Sequence, residues 1–72
     1  MDSKELYQKE KAYVTRRAEE LTAEMEAALD TGDPVRFRDA YTKSARYMRQ
    51  RDRKPLYIRF LQMLSERRAT NV

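Results

Sequence analysis

The densest chemistry in this sequence is a run of charged side chains, Arg49-Gln50-Arg51-Asp52-Arg53-Lys54. Arginine presents a planar fork of donors that grips phosphate or carboxylate oxygens two at a time, which a lysine ammonium cannot do. At 100° per residue, Arg38, Lys43, Arg46, Arg49 and Arg53 fall on one side of a helix, with Arg36 and Lys54 at its edge. The candidate binding set is therefore Arg36, Lys43, Arg46, Arg49, Arg53 and Lys54. Such a set fits a polyanionic partner. A protein with an acidic surface is the leading expectation, and the phosphate backbone of a nucleic acid is the alternative.

The overall balance of +4 hides a division along the chain. Residues 1–30 hold five basic and eight acidic side chains, a net of −3, while residues 31–72 hold eleven basic and four acidic ones, a net of +7. The first-half acids Glu19, Glu20, Glu24 and Glu26 can neutralise some of these cations inside the fold. Cations near a helix C-terminus are also favoured by the helix dipole without any partner.

Other constellations carry less. Glu20 and Glu24 stand one helical turn apart, but a carboxylate metal site in a helical bundle normally adds histidine, and the chain has none. Asp30-Thr31-Gly32-Asp33 lacks the twelve-residue ligand pattern of a calcium loop, and helix capping accounts for both acids. The tyrosines Tyr7, Tyr13, Tyr41, Tyr47 and Tyr57 have the ring faces that stack on bases, yet their helical spacing beside apolar residues suits the edge of a core. Ser44 has no base to activate it. With no Cys and no His, a disulfide scaffold, a Cys/His zinc site, a Ser-His-Asp triad and a Cys–His dyad are all excluded. A single Gly excludes a glycine-rich phosphate loop. The expectation is a chain that is not an enzyme, with no catalytic residues, no metal, no cofactor and no small-molecule substrate.

The elements that position these residues are read from punctuation. Asp2 and Glu5 have the spacing of a helix-capping box, and neither Gly nor Pro follows before Gly32. Tyr7, Val14, Leu21 and Ala28 recur every seven residues, and Lys11, Ala18 and Met25 fill the positions four residues further on. That spacing forms one stripe on a long first helix, residues 3–29. The stripe is thin, because Ala contributes little burial and Lys less, so this helix needs a partner surface. Gly32 suits a left-handed C-terminal cap, Asp33 an N-cap and Pro34 a first helical position. A second helix over 34–53 follows, with Phe37, Tyr41, Ser44, Ala45 and Met48 on its apolar side. So short a connection favours an antiparallel hairpin. Pro55 is expected to open a third helix over 55–68, with a frayed tail at 69–72.

The fold class is thus all-α, a long helical hairpin plus a shorter third helix within a single domain, residues 1–72. The third helix is rich in apolar residues. Leu56, Ile58, Phe60, Leu61 and Leu64 exceed what a thin hairpin seam can cover, and they form the expected association surface. Either the third helix lies across both others in a monomeric three-helix bundle, or two chains pair as a two-fold homodimer. No apolar run exceeds three residues, so no membrane span is expected, and the charged N-terminus does not read as a signal peptide. A cytoplasmic location is the default. No pattern in the residues resembles a known family. The resulting expectation is a small regulatory or interaction module that docks through its Arg-rich face and its third helix.

Overall fold

A computed structural model describes residues 2–70. They form three helices, α1 (Ser3–Thr31), α2 (Pro34–Ser44) and α3 (Gln50–Thr70), with no strand among the described residues.

Local chemistry accounts for α1 and its end. Asp2 is the N-cap, its carboxylate accepting the Lys4 backbone N–H. Gly32 terminates the helix at φ +68. Its N–H donates to the Leu29 carbonyl at 3.3 Å and the Asp33 N–H donates to the Ala28 carbonyl at 2.9 Å, the paired closure of a Schellman cap. The helix runs two residues past the expected Leu29, and the Thr31 hydroxyl bonds back to the Ala27 carbonyl at 3.0 Å. Asp33 caps α2 by accepting the Arg36 N–H at 3.0 Å, and Pro34 occupies the first turn.

The second helix is shorter than its sequence suggests. It stops at Ser44, where a helix to Arg53 was expected. The buried Ser44 hydroxyl donates to the Tyr41 carbonyl at 2.7 Å, and the Arg53 guanidinium donates to the same oxygen at 3.2 Å. That carbonyl would otherwise accept the Ala45 N–H, which bonds instead to Thr42 at 3.3 Å. The ladder tightens to three-residue steps and the chain turns over residues 45–49. The third helix then starts at Gln50, so Pro55 lies inside it rather than at its first position. A proline in a helix interior removes one backbone donor and costs about 3 kcal/mol. The burial of Leu56 and Phe60 just beyond it offsets that cost, each such side chain contributing about 1.5–3 kcal/mol. Ala69 and Thr70 continue α3, and the rest of the expected tail, Asn71 and Val72, lies outside the described residues.

The core takes Leu21, Met25 and Ala28 from α1, Phe37 and Ala40 from α2, and Leu56 and Phe60 from α3. Phe37 and Phe60 stack at its centre with ring centroids 4.3 Å apart. Leu29, Tyr41, Tyr47, Met48, Met63 and Leu64 pack around them. Arg67 ties the far end of α3 back to the first turn by donating to the Gly32 carbonyl at 3.3 Å. Two of the five residues expected to form an association surface, Leu56 and Phe60, are therefore core, and Leu64 is half-buried. Their apolar surplus is absorbed by α1 and α2, leaving Ile58 and Leu61 exposed.

The molecule is elongated, 60 × 20 × 14 Å, with a radius of gyration of 15.5 Å. A compact chain of this length would have about 11 Å. The cause is a mismatch of lengths. At 1.5 Å per residue α1 spans about 43 Å and α2 only about 16 Å. Residues 3–16 of α1 are all exposed.

Candidate functional site

The six cations singled out by sequence do not form one surface. Arg36 reaches across from α2 to the Glu24 carboxylate on α1 and grips both its oxygens, with Nη2 to Oε2 at 3.0 Å. The guanidinium holds the Glu24 carboxyl below its ordinary range, and Glu24 raises Arg36 in return. Lys43 is paired with Asp39 one turn earlier at 3.0 Å. Arg53 faces inward, its guanidinium carbon 4.5 Å from the centre of the Tyr41 ring. Arg36 and Lys43 are therefore ion-paired while still exposed, and Arg53 is half-buried.

Arg46, Arg49 and Lys54 remain exposed and make no ion pair among the described residues. The break after Ser44 gathers them at the corner where α2 turns into α3. Arg51, which the helical-face argument left out, joins them because α3 begins at Gln50 and turns that side chain outward. The start of α3 also brings the positive end of its dipole to the same corner.

An open cleft of about 680 Å³ lies beside this corner, lined by Tyr41, Gln50, Arg51, Lys54 and Tyr57. The two tyrosine rings are tilted, with centroids 5.2 Å apart. Tyr41 stacks on Phe37 with centroids 5.9 Å apart, and the Arg53 guanidinium lies over its ring. Along α3 the cleft continues into an exposed apolar strip. Tyr57 and Ile58 lie three and four residues after Lys54, and Leu61 four and three after them, so the four share a face. Ile58 is 45% exposed and Leu61 47% exposed. The site thus places cations, two aromatic rings and two aliphatic side chains side by side. Tyr41 and Tyr57 carried no distinguishing signal in the sequence, where they read as core edges.

A second cluster surrounds Tyr47. Its ring meets Tyr13 edge-on at 6.1 Å, and the Arg17 guanidinium lies 5.5 Å above it. Hydrogen bonding from Tyr13 and then from Arg17 lowers the Tyr47 hydroxyl below the usual phenol range, while hydrogen bonding to Tyr47 raises that of Tyr13. No group of three or more His, Cys, Asp or Glu among the described residues is arranged to hold a metal ion. No helix among them is long and apolar enough to cross a membrane. Compared with family models, curated proteins and solved structures, the chain matches none.

Proposed function

We propose that this chain is a non-enzymatic interaction module that docks on a protein with an acidic surface. In this reading α1 and α2 serve as an antiparallel hairpin that supports α3, and the contact surface is the corner cations Arg46, Arg49, Arg51 and Lys54 with the adjoining face of α3. The observation that carries it is the continuity of Arg51 and Lys54 with exposed Tyr57, Ile58 and Leu61 on that face. Phosphates reward the cations but gain nothing from Ile58 and Leu61. A protein surface rewards both, and Tyr and Arg are the residues most often found to dominate such contacts.

The second reading is single-stranded nucleic acid. The Tyr41–Tyr57 cleft favours it, since a base could stack there while its phosphate meets Arg51 or Lys54.

Fluorescence anisotropy with three probes tests the proposal: an amphipathic helical peptide of Glu and Leu, poly-glutamate of equal charge, and single-stranded DNA. The Glu/Leu peptide is expected to bind most tightly, and Ile58→Ser with Leu61→Ser to weaken it about tenfold or more, the scale of a modest interface hot spot. Tightest binding to DNA, unaffected by those two substitutions, would overturn the protein reading in favour of the nucleic-acid one.

A further inference from the structure

The seven-residue stripe of α1 is only half used. Leu21, Met25 and Ala28 are buried beneath α2 and α3, whereas Tyr7, Lys11 and Val14 on the same stripe are exposed. Tyr7 is 65% exposed and Val14 39% exposed. The short α2 ends before it can reach them. The accessible surface of the chain is 5793 Å². A compact chain of 8.7 kDa would expose about 4,700 Å². The excess, roughly 1,000 Å², is comparable to the roughly 800 Å² that each partner buries in a standard interface.

We propose that the occupant of this half-stripe is a second copy of the same chain, its α1 packed antiparallel against the first about a two-fold axis near residues 12 and 13. Three features of the half-stripe make it complementary to itself. Tyr7 is a large, exposed knob near one end. Eleven residues on, an open hollow of about 440 Å³ lies above Ala18, bounded by Val14, Thr22 and Tyr47 among others. With the chains antiparallel, Tyr7 of each copy enters the hollow of the other. In the same register Lys11 lies opposite Val14, so its methylene stem covers the valine while the ammonium stays in water. Glu10 then flanks Arg17 of the second copy, opposite in charge, at both ends of the contact. A parallel arrangement would set Tyr7 against Tyr7, leaving the hollow empty. The two basic corners and α3 faces stay outside this contact, so the dimer presents the docking surface twice.

Sedimentation equilibrium of the full chain from 5 to about 500 μM tests the proposal, a range suited to a weak interface of micromolar affinity. The mass is expected to rise from 8.7 kDa toward twice that value. Tyr7→Glu should weaken association at least tenfold while leaving the thermal transition of the dilute monomer unchanged, because Tyr7 touches none of the core residues. The chain has no native cysteine, so Tyr7→Cys with Ala18→Cys should oxidise to a covalent dimer, whereas Lys9→Cys with Arg16→Cys, on the opposite face of α1, should not. A parent chain that stays monomeric throughout would overturn the proposal. So would association that Tyr7→Glu leaves intact, which would place the contact elsewhere, or cross-linking that is equal for both cysteine pairs.

Discussion

Gly32 is the point where one residue's backbone decides the fold, and replacing it isolates a single physical term. The residue sits at φ +68, and a Cβ added there would meet nothing within 4 Å. Gly32→Ala therefore introduces no clash, and its effect reduces to conformation. An L-residue in the left-handed region costs about 1–2 kcal/mol. Alanine recovers about 0.4–1 kcal/mol by restricting the unfolded chain. The net expectation is destabilisation by roughly 1 kcal/mol, a fall in melting temperature of about 4–8 °C for a chain of this size. Gly32→Asn should cost less, since asparagine tolerates the left-handed region, and Gly32→Val more, since a β-branched residue at positive φ is a genuine outlier. Thermal melts followed by far-UV circular dichroism, all at one protein concentration, give the ordering Gly, Asn, Ala, Val. An alanine variant as stable as its parent would refute the reasoning. It would mean that residue 32 is not held in the left-handed conformation and that the closure between α1 and α2 is drawn incorrectly.

Two further outcomes follow from the core and from the ion pair. Phe60→Ala removes one of the two stacked rings at the centre and should cost about 3–5 kcal/mol, enough to unfold so small a domain at room temperature; a cooperative melt surviving with little change would place the core elsewhere. The Glu24 carboxyl, held low by Arg36, contributes stability above its unfolded-state pKa, and that contribution fades as pH falls through its folded-state value. Because both side chains are about 40% exposed, solvent screening keeps the effect small. An NMR titration should show Glu24 ionising below the ordinary glutamate range and returning to it in Arg36→Gln.

The parts of the fold legible in the sequence are those written in neighbouring residues. Asp2, Gly32 and Asp33 act through bonds to amides or carbonyls within five residues, and Pro34 through its own fixed φ in the first turn, so their roles could be read directly. The Lys43–Asp39 pair spans one helical turn and is equally local. The end of α2 was not. It depends on a competition at the Tyr41 carbonyl between the backbone, the Ser44 hydroxyl and Arg53, and Arg53 arrives only once α3 has folded back. Pro55 misled for a related reason, because long-range burial at Leu56 and Phe60 outweighs its local preference. The candidate site suffered most from this error. A helix continued to Arg53 would have spread the cations along one face, whereas the break at Ser44 gathers Arg46, Arg49, Arg51 and Lys54 at a corner. The Arg36–Glu24 pair joins residues on different helices and has no signature in spacing. The uncovered half of α1 was legible only as weakness, a stripe too thin to stand alone.

The most direct test of the docking surface is backbone amide mapping by NMR as the Glu/Leu peptide is added. The proposed function requires the largest shifts at Arg51, Lys54, Tyr57, Ile58 and Leu61, with Arg46 and Arg49 following and α1 little affected. Shifts concentrated on α1, or none at saturating peptide while single-stranded DNA perturbs the Tyr41–Tyr57 cleft, would contradict it.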